Sequence, residues 1–353
     1  MGSEPQRIRL TLSERAERYA RRDAPREARL MAARGALPLP PIELATVLFA
    51  LIHDPDAEVK DTARTSLAGL PAAVMGPVLS GDTHPALLSH LAHELAEDEA
   101  ALEKIALNPA SSDDTIAFLA GLHHRRVVEI VSNNQQRMLR APQIVDALGS
   151  NPITGRAVIE RIFSFLGLAE ASEATRPQEL SDAEAEVALR AVLGDELAGL
   201  ARDLAIETDA DGATHDNVNL FQALQKMTVF QKIKLARLGN REARGLLIRD
   251  RNKVVAMAAV TNPKVTDVEV IGFAQSRNVH DEVLRTIARN REWVRNYQVK
   301  LALVTNPKTP PSAAVTFVNH LQEKDLRNLM RSKDVPRVVA THARRLLGKK
   351  GKA

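Results

Sequence analysis

Arg251-Asn252-Lys253-Val254-Val255-Ala256-Met257-Ala258-Ala259-Val260-Thr261-Asn262-Pro263-Lys264 and, 44 residues on, Arg295-Asn296-Tyr297-Gln298-Val299-Lys300-Leu301-Ala302-Leu303-Val304-Thr305-Asn306-Pro307-Lys308 are identical at nine of fourteen positions. Two more Asn-Pro pairs, Asn108-Pro109 and Asn151-Pro152, lie 43 residues apart. A fixed period of this size marks stacked helical units, each of which buries its apolar stripe only against its neighbours. The residue before a proline is pushed out of the right-handed helical region, and Asn tolerates the left-handed conformation that closes a helix, so each Asn-Pro stops a helix. A hydroxyl follows within three or four residues, at Ser112, Thr154, Thr266 and Thr309, and is expected to cap the next helix. Thr266 and Glu269 have capping-box spacing.

Apolar residues elsewhere recur at three and four residue spacing, as in Val283, Leu284, Ile287 and Leu321, Leu326, Leu329, and strand-like alternation is scarce. Val255 with Ala258 and Val299 with Ala302 share a face before each stop; Val270 with Phe273 and Ala314 with Phe317 share one after it. The expectation is an all-α chain, an α-solenoid of two antiparallel helices per 43–44 residue unit.

The Val-Thr-Asn-Pro-Lys-Thr-Pro run at 304–310 resembles the repeat of leucine-rich-repeat-variant proteins, and Asp54-Pro55-Asp56-Ala57-Glu58-Val59-Lys60 resembles the start of a HEAT-repeat helix. The part from Phe221 to Leu347 is similar to bacterial proteins with this arrangement, a similarity that brings no activity with it. The likeness runs over 217–347, in patches over 40–168, and leaves out 169–216. It implies a right-handed stack and a scaffold or binding surface. The iron–sulfur cluster of some leucine-rich-repeat-variant proteins does not carry over, because the chain has no cysteine.

Composition narrows the function classes. The chain has 353 residues, 44% of them apolar and 26% charged, which describes a globular protein with a sizeable core. Zero cysteine removes disulfides, thiolate metal sites and Cys nucleophiles. Eight Phe, two Tyr and one Trp leave little for base-stacking platforms. No cofactor is expected. The N-terminal residues lack the apolar core of an export signal, and the longest apolar stretch, at 45–52, is far below the roughly 20 residues of a membrane span, so the expected location is the cytoplasm.

Charge is divided unevenly. Residues 1–168, a first helical repeat region, hold 18 basic and 21 acidic side chains; residues 169–216 hold 3 and 13; residues 217–353, a second repeat region, hold 27 and 10. The middle stretch is thus an acidic insert, net −10, ahead of a basic third, net +17. Within the insert, 169–179 reads as a linker, 181–206 as one or two amphipathic helices, and 208–216 as a loop. Asp209-Ala210-Asp211-Gly212 lacks the spaced ligands and terminal Glu of a calcium loop.

Constellations for catalysis are few. His90, His93, Glu94 and Glu97, with His84, share a helix face and read more simply as a solvated surface than as a metal site, since zinc sites draw ligands from several elements. His53-Asp54 and His280-Asp281 lack the further ordered ligands of HD phosphohydrolases, and His123-His124-Arg125-Arg126 reads as a helix junction. No phosphate loop or nucleophile elbow occurs. The candidate anion- or partner-binding set is therefore Arg241, Arg244, Arg249, Arg251, Lys253, Arg285, Arg289, Arg291, Trp293 and Arg295, in the basic third.

The leading expectation is a non-enzymatic scaffold that binds a protein or an extended peptide. The alternatives are binding of nucleic acid through its phosphates by the basic repeats, and a metal-dependent hydrolase on the His90/His93 face. The neighbouring −10 and +17 segments also suggest that the insert competes with an anionic partner for the basic surface.

Overall fold

In the computed structural model, residues 10–21, 23–166, 182–193, 204, 217–332 and 334–350 are described. They form 23 α-helices and one short 3-10 turn, with no strand among the described residues. None of these helices is long and apolar enough to cross a membrane. The chain divides into two compact units, Met1–Thr154 and Gly155–Ala353. The composition boundary at 168 falls inside the second.

The period holds three helices where two were expected. In the second unit Lys253–Val260, Asp267–Gln275 and Asp281–Arg289 are followed 44, 44 and 42 residues later by Tyr297–Thr305, Pro311–Val318 and Glu323–Arg331. Asn217–Lys226, Val229–Leu238 and Arg241–Leu247 form a triplet ahead of them, and Arg337–Lys350 follows. In the first unit Ala57–Ala68, Ala72–Ser80 and Pro85–Glu94 precede Glu99–Leu107, Asp113–Gly121 and Arg125–Asn133. The second helix of a triplet packs on the first helix of the next, as Val229–Leu238 does on Lys253–Val260 and Asp267–Gln275 on Tyr297–Thr305. Lys253–Val260 is the most enclosed of these helices, with all eight of its residues buried. The apolar faces read from the sequence are the core: Val299 and Val270 are fully buried, and Ala302, Ala314, Phe273 and Phe317 nearly so. Each large aliphatic or aromatic side chain buried this way contributes about 1.5–3 kcal/mol.

The Asn of each Asn-Pro does more than end a helix. Asn108, Asn151, Asn262 and Asn306 are buried, and each amide reaches back to the end of the preceding triplet's second helix. Asn108 Nδ2 donates to the carbonyls of Leu79 (2.8 Å) and Gly81 (2.9 Å), and Asn151 Nδ2 to those of Ala120 (2.8 Å) and Leu122 (2.7 Å). Asn306 Nδ2 does the same with Ala274 (2.8 Å) and Ser276 (2.9 Å), and Asn262 Nδ2 with Ala236 (2.9 Å) and, at 3.5 Å, Gly239. Each Oδ1 accepts from the backbone N–H two residues on, at Ala110, Ile153, Lys264 and Lys308. Side-chain oxygen and nitrogen thus satisfy otherwise orphaned backbone groups on both sides of a repeat boundary.

Two local expectations are corrected. Asn108, Asn151 and Asn306 are extended, with ψ near 120°, because the following proline excludes helix and the two-sided bonding fixes the rest; the left-handed region is not used. Ser112 and Thr266 do cap their helices, Thr266 in a full capping box with Glu269. Thr154 and Thr309 instead lie buried one residue before the caps, which are Gly155 and Pro310. Of the acidic insert, Asp182–Leu193 is a helix, and the 209–212 run lies outside the described residues.

Candidate functional site

The feature that recurs with the repeat is a cleft between the first and third helix of a triplet. In the last triplet a cavity of about 360 Å³ is lined by Gln298, Leu301, Ala302 and Thr305 from Tyr297–Thr305. Asp325, Asn328, Leu329 and Ser332 close it from the third-helix side, and Gln275 from the preceding second helix. Both sets follow i, i+3, i+4, i+7 spacing, so the groove runs along two turns of each helix. Leu329 and Ala302 form an apolar floor, and Gln298, Thr305 and Asn328 are exposed polar rims. Asp325 is held by the Tyr297 hydroxyl, which also accepts from the Gln322 backbone N–H at 3.1 Å.

A second cavity, of about 330 Å³, lies one triplet earlier, with Arg237, Met257, Thr261 and Thr286 on its walls. Met257 and Thr261 stand 44 residues before Leu301 and Thr305, and Thr286 stands 42 before Asn328. Arg237 follows Ala236, which accepts from Asn262, as Gln275 follows Ala274, which accepts from Asn306. The four positions are therefore the same in both. In the first unit a cavity of about 440 Å³ between Glu99–Leu107 and Arg125–Asn133 is lined by Leu107 and Ile130, the counterparts of Thr305 and Asn328, together with Asn133, Asn134, Gln135 and Gln136. Leu107 is 68% exposed, an unusual place for a leucine and one that marks the rim.

Two of the basic residues singled out from the sequence, Arg244 and Lys253, are not on the surface. Arg244 is fully buried, with Nε and Nη2 on Glu269 Oε1 and Oε2 (2.8 and 2.9 Å) and Nη1 on the Gly239 carbonyl (3.0 Å). Burial raises the Glu269 carboxyl, but hydrogen bonds from Arg244 and Thr266 outweigh it and hold it below its ordinary value. Lys253 is also buried, and desolvation lowers its pKa against the pull of Asp281 and Glu282. These two belong to the joints between helices. Arg241 is exposed at a helix start, and Trp293 is half-buried in the turn Trp293–Arg295. Arg285 pairs with Asp281 (3.3 Å) and Glu282 (3.7 Å), and Arg295 with Glu292 (2.8 Å). Arg249, Arg251, Arg289 and Arg291 are exposed and make no ion pair among the described residues. Arg289 sits one turn beyond Thr286 in its helix, so it flanks the cleft.

The histidines are engaged separately. His84 accepts from the Ala86 N–H at a helix start, His90 packs on Phe49, and His93 stacks on Phe118 at 3.9 Å. Burial lowers the His90 pKa. His280 Nε2 meets the Asp250 carbonyl (2.9 Å) and His124 Nε2 the Ala96 carbonyl (2.7 Å). Among the described residues no three His, Asp or Glu side chains converge as metal ligands.

The cleft was missed in the sequence because its walls come from segments some 25 residues apart. One trace was visible: Thr261 and Thr305, identical in the aligned blocks, each precede a buried Asn. Comparison with protein-family models, with curated proteins and with solved structures gives no match for this chain.

Proposed function

We propose that the protein is a non-enzymatic scaffold whose first-to-third-helix clefts bind a segment of a partner protein, each unit being a short right-handed α-solenoid. The observation that carries this is the recurrence of one cleft at four equivalent positions in two triplets of the second unit, with a buried apolar floor and changing rim chemistry, and two of those positions recur in a cavity of the first unit. Concave, mostly apolar sites with a few convergent polar groups are where polypeptide and small ligands bind, and repeat arrays place such sites in register. Panning a random peptide library against the wild type and against Asn328→Arg tests it. Selected peptides should lose tenfold or more in affinity for the variant; peptides indifferent to it, or none selected, would sink the proposal.

A second reading keeps nucleic acid as the partner, favoured by the exposed Arg249, Arg251, Arg289 and Arg291, which make no ion pair among the described residues. It requires duplex DNA to bind with an affinity that falls steeply with salt, and absence of binding at low salt eliminates it.

A further inference from the structure

The two cavities of the second unit share four wall positions and differ in what faces them. Across the cleft of Met257, Thr261 and Thr286 lies the helix Arg156–Phe165, which presents Arg156, Ile159, Glu160 and Phe163, its own i, i+3, i+4, i+7 face. Ile159 and Phe163 are 1% and 7% exposed, and Arg156 Nε pairs with Glu160 Oε1 at 2.5 Å. The chain therefore lays an amphipathic helix along this cleft, with two apolar side chains four residues apart turned inward beside one ion pair.

The cleft of Leu301, Thr305 and Asn328 is walled by Gln275 and by its own triplet's first and third helices. Its two-turn walls extend about 10 Å, the length over which an i to i+7 face makes contact. One rim is cationic: Lys324 and Arg331 are exposed, four residues before and three after Asn328.

We infer that the Leu301–Leu329 cleft takes an amphipathic helix of a second protein, with apolar side chains at i and i+4 and acidic side chains on the flank facing Lys324 and Arg331. This deepens the scaffold proposal and rests on it. A helix is favoured over an extended strand because an equivalent cleft in the same unit already faces one. An acidic flank is favoured because Asp325 is engaged by Tyr297, leaving the rim's exposed charge positive.

The probe is a fluorescent synthetic peptide of residues 155–166, prepared also in an acidic form carrying Arg156→Glu and Arg161→Glu and in a helix-breaking form carrying Ile159→Pro. Anisotropy titrations use the full chain, its Leu301→Glu variant and, in case that half-buried change perturbs folding, the exposed Asn328→Glu variant. Saturable binding is expected, several-fold tighter for the acidic form, tenfold or more weaker in both variants, and abolished by the proline. If the proline form binds equally well, the helix claim falls while the scaffold proposal stands on its library result. Binding insensitive to both variants, or none, removes this cleft as the site. A dimer of the chain that dissociates on Leu301→Glu would make the occupant a second copy and overturn the inference of a separate partner.

Discussion

Two consecutive joints of the second unit solve one problem with different chemistry. Where Arg241–Leu247 meets the triplet beginning at Lys253, the contact is a buried ion pair, Arg244 with Glu269. Where Asp281–Arg289 meets the triplet beginning at Tyr297, aligning the helix starts Asn240 and His280 puts buried Leu284 at the place of Arg244, and the 44-residue offset puts Ala313 at that of Glu269. The asparagine contact beside each joint is retained. Backbone satisfaction by a buried asparagine is thus what the two joints share, whereas the side chains at the equivalent positions are ionic in one and apolar in the other.

The largest effect should come from halving the ionic joint. Arg244→Ala or Glu269→Ala alone leaves a buried charge unpaired and should cost about 3–5 kcal/mol in urea unfolding followed by the fluorescence of Trp293. Arg244→Leu combined with Glu269→Ala puts the second joint's residue types into the first and should be less destabilising than either single change, because it leaves no buried charge unpaired. If the double variant is as unstable as the single ones, the two joints are not interchangeable.

Next in size is the element the joints share. Asn306→Ala strands two carbonyls and an N–H and should cost about 2–4 kcal/mol. Asn262→Ala should cost less, because its bond to Gly239 is already 3.5 Å long.

A smaller effect separates the joints by pH. Glu269 has a folded pKa held below its ordinary value, so its contribution is complete above the ordinary carboxylate range and is lost as pH falls through the folded value. The wild type should therefore lose stability on acidification relative to the Arg244→Leu, Glu269→Ala variant, with no divergence between pH 6 and 8. Smallest of all, Arg285→Ala, which removes an exposed pair on the second joint's outer side, should change stability by less than about 1 kcal/mol.

What the sequence disclosed follows from range. The Asn-Pro stops, the capping box at Thr266 and the buried faces of Val270 with Phe273 are local patterns, and each was readable. The helical spacing of Val283, Leu284 and Ile287 was readable too, but not the place of a third helix in the unit, because Asp281–Arg289 and Glu323–Arg331 follow their second helices after turns of different length and share little sequence. Arg244 looked like part of a surface cluster because its neighbours Arg241 and Arg249 are exposed; only packing brings Glu269, 25 residues away, against it. The cleft is longer in range still, combining Gln275, Leu301 and Asn328.

The central claim is that partners enter the first-to-third-helix cleft and not the arginine-bearing turns. Amide hydrogen exchange of the full chain, with and without a library-selected peptide, tests this most directly. Protection should concentrate in 298–305 and 325–332. Protection confined to 249–251 and 289–295 would contradict it.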